Sequence, residues 1–557
     1  MINDLRHAVR MLLKTPAFTV IAIFALALGI GLATTMFTSV SALLIRPLPH
    51  LQDQAQLIYV SQYSFQRPEN NAVTLPDFRE LKKAGTLEDL AAYTELTVIV
   101  SEAENPVRYL GAEISADAFA FLGVQPILGR LFRPEEGELS AEPVALLGYD
   151  IWQKQFGGES SIVGRGIPIN GRLTTIVGVM PKGFRFPEVS DLWLPLQPDE
   201  KKHPRGDFSL DAIGKIKKGV SLEQARAELE AIGARLALEF PETNSGFGVR
   251  VVPWRGELVK HFKTLTLLVL GAVLFVHLIA CANVANLLLA RGATRAREIG
   301  VRIALGASRG QIVRQLLTES LILSVTGSAL GLLFAVWGVD LMLSAVPTEI
   351  PAWIRFDFDW RIFSFAVGLG FISSVLIGLI PALQSSRPHL LEVLKEGGRG
   401  GGSGPRSQRL RSTLIVGEVA LALILLVGAG LMVRSFMNLA RTDIGADPSS
   451  TLTFRVGLPE AFFPEAKSAT AFFERLIPKL TALPGVESAG ATSSLPAGGM
   501  GLSALVLEGE APPERLQEAR IMSQIAITPG FLETARISLL RGRDLTAADN
   551  AEARALP

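Results

Sequence analysis

The sequence predicts an α-helical polytopic membrane protein with a large extracytoplasmic α/β domain, built as a duplicated unit whose second copy is incomplete. Three observations carry that expectation. Five long apolar runs punctuate the chain. Two arginine-rich segments fall between them on what must be the same side. A pattern in the first long polar region returns after the fifth run.

The five runs cover residues 17–45, 264–290, 316–346, 362–383 and 414–434, and a span needs roughly 20 apolar residues. Residues 1–16 form a helix carrying Arg6, Arg10 and Lys14, which places the N-terminus inside. A signal peptide begins the same way, but the first run outlasts an h-region of about 7–15 residues. Alternation then puts residues 46–263 outside, 291–315 inside, 347–361 outside, the Gly-rich linker 384–413 inside, and 435–557 outside. Both inside segments are rich in arginine: Arg291, Arg295, Arg297, Arg302, Arg309 and Arg314 in one, Arg387, Arg399, Arg406, Arg409 and Arg411 in the other. The outside loop 347–361 sets Glu349, Asp357 and Asp359 against Arg355.

Composition agrees. The 557 residues are 48% hydrophobic and 19% charged, with a mean hydropathy of +0.34. A net charge of +1 gives no electrostatic reason for a nucleic-acid partner. Cys281 is the single cysteine and lies inside a span, which excludes intrachain disulfides and cysteine-based metal sites. Small residues recur at four-residue spacing in the spans: Gly29 and Ala33, Gly327 and Gly331, then Gly370, Ser374 and Gly378. Such spacing lets helices approach closely in lipid. His277 is mid-span, and Asp340 and Glu418 lie near span ends; structural roles fit them better than a proton relay.

The first outside region reads as an α/β part with a β-rich part inserted. Leu57–Ser61 and Thr97–Val100 are strand-like, and Leu75–Lys83 and Leu87–Ala92 look helical. In the insert, Val144–Leu147, Ile167–Ile169 and Thr174–Val179 are strands, and Asn170-Gly171 signals a hairpin. Leu210–Lys215 and a helix over Leu222–Phe240, capped by Ser221, complete it. His203 and His261 stand alone, with no second ligand at metal spacing, and no hydrolase or metalloprotease motif occurs. The chain is not expected to be an enzyme. No G-x-x-x-x-G-K-[ST] phosphate loop is present, so any ATP that drives it is hydrolysed by another polypeptide.

The recurring pattern pairs Ile114–Phe119 and Leu128–Phe132 with Ile527–Phe531 and Leu540–Leu545, and Gly129-Arg130 with Gly542-Arg543. The flexible join is Gly397–Gly404. Only a short stretch follows the second Gly-Arg turn, so the chain is expected to be a fragment or a truncated product.

The inside loop 291–315 has structure of its own. Arg295–Leu305 reads as a helix, Gly306 as its C-terminal cap, and Ser308-Arg-Gly-Gln311 as a capping box that opens the next helix. A helix, a break and a second helix leading straight into a span can pass on a push from a cytoplasmic partner.

Arg297-Glu-Ile-Gly-Val-Arg-Ile-Ala-Leu-Gly-Ala307 resembles the signature of MacB/FtsX-like ABC transporter permeases. Val144–Gly158 and Ile169–Phe184 are similar to their extracytoplasmic core domain. Asp4–Phe18 and the duplication resemble the acidobacterial duplicated orphan permease subgroup. The resemblance implies a permease subunit in the inner (plasma) membrane that transmits the cycle of a cytoplasmic ABC ATPase dimer to the outside domain. It would export or extract an antibiotic, a peptide or a lipid-linked substrate. ATP and magnesium would sit on the ATPase, with no cofactor in this chain. Beside the lipid bilayer, a periplasmic adaptor or outer-membrane component would be a further partner. The coupling residues it implies are Glu298, Gly300, Arg302, Leu305, Gly306 and Ala307, and the loop arginines Arg291, Arg295, Arg297 and Arg309 are expected to take part by pairing with an acidic patch on the partner. The other reading is an FtsX-like transmembrane regulator that activates an extracytoplasmic partner such as a cell-wall hydrolase.

Overall fold

A computed structural model describes residues 2–557 except 48–50, 52, 66, 102–105, 188, 202, 295–297, 299–300, 303–304, 306, 346–353, 386–404, 443–444, 448, 459–461, 464, 497, 499–500, 506–519, 547 and 550–557. The chain divides into two compact units, one of Met1–Pro47, Val259–Ile350 and Ile354–Ala440, the other of Leu48–Leu258, Pro351–Trp353 and Arg441–Pro557.

The first unit holds the spans. An amphipathic helix, Ile2–Leu13, precedes the first span helix, Pro16–Val40, whose last turns widen into a π-helix at Ser41–Ile45. The other four are Trp254–Thr294, Arg309–Ser344, Trp360–Ser385 and Pro405–Ala440. Each contains a stretch long and apolar enough to cross a membrane. Leu12, Ala22, Leu26, Ile30, Cys281, Val284, Leu323, Ala366 and Ile377 form the core of this unit. The small residues make it tight. A Cβ on Gly331 would stand 3.1 Å from the Ala27 carbonyl oxygen and 3.1 Å from the Gly31 nitrogen. Gly327 faces Leu26, and Gly378 faces Ser320, in the same manner. The spaced glycines are therefore contact points, as close packing in lipid requires. In the fifth span, by contrast, no residue of the apolar window is buried.

His277 has the structural role expected of it. Its Nε2 lies 2.7 Å from Ser373 Oγ, and Cys281 Sγ lies 3.5 Å away. A Cβ at Gly29 would fall 2.6 Å from the other ring nitrogen, so glycine there makes room for the imidazole. The ring thus bridges the first, second and fourth spans.

The second unit is organised by one mixed sheet. Its strands are β1 (Leu57–Ser64), β2 (Arg67–Ala72), β3 (Leu87–Val100), β4 (Val107–Ile114), β5 (Leu128–Gly129), β6 (Val144–Leu147), β7 (Gly166–Ile169), β8 (Arg172–Val179), β9 (Leu192–Pro195), β10 (Asp211–Ile216) and β11 (Phe247–Pro253). They run in the order β11-β1-β10-β3-β4-β9-β6-β8-β5, with β2 on β1 and β7 joining β3 to β8. Pairing is antiparallel except β4 with β9 and β6 with β8. The β-rich insert shares this sheet through β9, which pairs with both β4 and β6.

Local chemistry explains most of these elements. Asn170 and Gly171 both adopt left-handed backbone, φ 49° and 78°, as a tight hairpin between β7 and β8 requires. Ser221 caps the helix Leu222–Glu239 in a capping box with Gln224. That helix buries Ala225, Leu229, Gly233 and Leu236. One expectation fails. Leu87–Ala92 is not helical but the start of β3. Its leucines and alanines suit a helix, yet the segment pairs with β10, and Leu87, Leu90 and Ala92 are buried in one core cluster and Ala91 in another. A central strand covered on both faces loses the alternation that marks a strand in sequence. His203 contacts Asp207 Oδ2 at 3.0 Å and Ser209 Oγ at 3.1 Å. The side chain of His261 and the linker 397–404 lie outside the described residues.

Several contacts among the described residues of 491–549 correspond to contacts in residues 92–136. Ser115 takes the Ala92 N–H on its hydroxyl (2.9 Å) and donates its own N–H to the Ala92 carbonyl (2.9 Å). Thr528 and Ala491 do the same at 2.8 and 2.9 Å. Tyr93 pairs with Ile114, and Thr492 with Ile527. Gly123 and Arg536 both have positive φ after a short helix, as do Gly129 and Gly542 farther on. Arg130 then grips Glu136 with both guanidinium nitrogens (2.9 and 2.5 Å), and Arg543 grips Asp549 likewise (2.6 and 2.6 Å). The carboxylates also accept the N–H of Arg133 and of Thr546, three residues back. The strands β12 (Gly501–Leu505) and β13 (Arg520–Gln524) form a hairpin between these two anchor points.

Candidate coupling site

The segment between the second and third span helices is fastened at three points. At its start, Arg291 Nη2 donates 2.9 Å to the Met11 carbonyl, and its guanidinium lies 4.9 Å from the centre of the Phe18 ring. Met11 is in the last turn of the N-terminal helix, where carbonyls lack helical partners and a cation is favoured by the helix dipole.

In the middle, Glu298 and Arg302 are four residues apart on helical backbone and paired at 2.6 Å. Arg302 reaches two further elements. Its Nη1 donates 2.7 Å to Gln315 Oε1 in the third span helix, and Nη2 lies 3.2 Å from His7 Nε2. A guanidinium offers five N–H donors in a fixed fork, so one side chain can hold loop, span and N-terminal helix together. At the end, Ala307 N–H bonds to the Arg302 carbonyl (3.0 Å), and Ser308 starts the third span helix in the capping box expected.

Among the described residues of this segment, Val301 is 55% and Leu305 82% exposed, four residues apart, and Ser308 and Arg309 are exposed beyond them. The structure therefore brings Arg291, Glu298 and Arg302 into the fastenings and places Leu305 and Arg309 on the open side. Ala307 supplies only backbone. Arg295, Arg297, Gly300 and Gly306 lie outside the described residues.

Sequence reasoning missed two participants. His7 and Gln315 carry no motif and become partners only through Arg302. Glu319 sits in the third span helix with 1% exposure; its signal was a single acid in an apolar run, which marks a site worth weighing. Among the described residues, no group of three or more His, Cys, Asp or Glu could hold a metal ion.

Residues 19–232 match the family model of the MacB-like periplasmic core domain, and residues 270–390 that of the FtsX-like permease C-terminal. The chain is a MacB/FtsX-like ABC permease. Among its relatives, an uncharacterized ABC transporter permease, YknZ of Bacillus subtilis, is 24% identical over 245 residues, 43% of this permease and 59% of YknZ. The pyoverdine export ATP-binding/permease protein PvdT of Pseudomonas syringae pv. syringae is 28% identical over 341 residues, 56% of this permease and 48% of PvdT. The permease thus spans about half the length of the curated relatives it matches. The periplasmic region of MacB from Actinobacillus actinomycetemcomitans aligns with 38% of the permease and 94% of that chain, at 14% identity and a TM-score of 0.30. The FtsX-like match contains the whole fastened loop.

Proposed function

We propose that this permease couples ATP hydrolysis by a separate cytoplasmic ATPase dimer to motion of its extracytoplasmic domain, and so exports or extracts a substrate from the outer face. The observation that carries the reading is the fastened loop with its exposed Val301 and Leu305. Arg302 makes the loop rigid against the third span helix, so a force applied at Leu305 is delivered to that span instead of being absorbed by the loop. The names of relatives such as PvdT join ATP-binding and permease parts in one protein, which supports an ATPase as the partner. The substrate belongs to the wide class of antibiotics, peptides and lipid-linked molecules. A periplasmic adaptor or outer-membrane component is a further proposed partner.

The N-terminus is assigned to the cytoplasm on the arginine distribution. The chain is further read as an internally duplicated permease of the acidobacterial orphan type. The matched anchors at Ser115 and Thr528 and the matched clasps at Arg130 and Arg543 support the duplication.

Cysteine cross-linking tests the docking surface. A Leu305→Cys permease, treated with cross-linker in its native membranes, is expected to cross-link to an ABC ATPase. A Leu173→Cys variant, exposed on the sheet unit, is the control. Cross-linking from position 173 but not from 305 would reverse the orientation and sink the proposal.

A further inference from the structure

The N-terminal helix, Ile2–Leu13, presents two parallel rows that no described contact of the spans uses. Ala8 and Leu12 are buried, at 0% and 4% exposure, and face the span core. Leu5, Val9 and Leu13 are 51%, 41% and 73% exposed. Beside them, one residue on, Arg6, Arg10 and Lys14 are exposed as well. Each row repeats every four residues, so each forms a stripe along the helix. The helix is held in this rotation by Arg291 on the Met11 carbonyl and by Arg302 beside His7. Only Lys14 and Thr15 separate it from the first span helix, which starts at Pro16.

We propose that this helix lies on an anionic phospholipid surface. Leu5, Val9 and Leu13 enter the boundary between headgroups and acyl chains, and Arg6, Arg10 and Lys14 pair with lipid phosphates. Three features select lipid as the occupant. An apolar row flanked by a cationic row is the pattern of an interfacial helix. The charge complements anionic headgroups. Direct continuity with a membrane span holds the helix at the level of the headgroups. The same contacts that fix its rotation tie it to the loop, so the lipid surface positions that loop through Met11 and His7. The lipid contact does not depend on the identity of the cytoplasmic partner.

The test uses the full chain in nanodiscs of phosphatidylcholine, with and without phosphatidylglycerol. A bimane label on Val9→Cys, in a Cys281→Ser background, reports the helix through quenching by nitroxide on the lipid acyl chains. Leu13→Cys serves as a second labelling position should Val9→Cys disturb folding. Quenching is expected, and is expected to be stronger with phosphatidylglycerol. Replacing Arg6, Arg10 and Lys14 by Gln should weaken docking on the anionic lipid roughly five-fold per charge removed, with an unchanged gel-filtration profile. A label that stays unquenched in both lipids at both positions would overturn the proposal. So would quenching indifferent to phosphatidylglycerol, or shielding of the label only after the ATPase is added, which would make the row a protein contact.

Discussion

At the scale of single residues, arginines decide most of what is specific here. Arg302 joins three elements through one guanidinium. Its pairing with Glu298 is partly exposed, at 32% and 39%, and such pairs contribute only about 0.2–1 kcal/mol. Arg302→Ala should therefore leave the thermal midpoint of the purified permease almost unchanged while abolishing its stimulation of the partner ATPase. A large fall in the midpoint would show that the residue is structural. Asp77 in the sheet unit is the opposite case. It is fully buried and bonded to Arg205, Gln62 and Asn244. Asp77→Ala leaves the buried Gln62 and Asn244 amides and the half-buried Arg205 without their acceptor and should cost about 1–3 kcal/mol, read as a lowered melting transition. Arg46, at the outer end of the first span, bonds the Arg355 carbonyl at 2.8 Å and Asp359 at 3.0 Å. The sequence shows Asp357, Asp359 and Arg355 as one charged loop but does not show that Arg46, more than 300 positions away, is what they hold.

At the scale of elements, the legible parts are those whose signal is local. Caps at Ser221 and Ser308, the Asn170-Gly171 turn and the four-spaced glycines each need only a few neighbouring residues, and each forms as read. What was not legible depends on distant partners: β3 begins at Leu87 because β10, more than 100 residues on, pairs with it there. The glycine packing predicts a contrast. Gly331→Leu forces a side chain into the backbone of the first span and should cost about 1–3 kcal/mol, seen as poor recovery from detergent. Gly428→Leu, in open space on the fifth span, should be recovered like the parent.

The two arginine clasps predict a pH dependence. Hydrogen bonds from Arg543 and from the Thr546 N–H hold the Asp549 carboxyl well below its usual range. Burial pushes Glu136 up, but Arg130 and the Arg133 N–H outweigh it and leave it lowered. A carboxyl lowered on folding stabilises above its unfolded pKa, about 4, and that stabilisation is lost as pH falls through the folded value. Acidification below about pH 4 should thus weaken both clasps progressively, and each opens as pH passes its lowered folded value. Hydrogen exchange at Thr546, corrected for the intrinsic rate, should rise there and should already be high near neutrality in Asp549→Asn. Exchange unaffected by either change would remove the clasp from the account of that turn.

At the scale of the whole molecule, the five apolar helices, the sheet unit and the two family matches describe one kind of machine, a permease with a large extracytoplasmic domain. The arginine-rich loop and its capping box at Ser308 are legible in the sequence. That the loop is tied to the N-terminal helix is not, because Met11 and His7 meet Arg291 and Arg302 only when that helix packs beside the end of the second span and the start of the third. Coupling through this loop to an ATPase is the central claim. It is tested most directly by purifying the tagged permease from native membranes in mild detergent and assaying ATPase activity in the eluate, for the parent chain and for Glu298→Ala and Arg302→Ala. The loop geometry predicts a co-purifying ATPase whose activity depends on both side chains. A well-folded permease that brings down no ATPase, or one whose ATPase is indifferent to both substitutions, would contradict it.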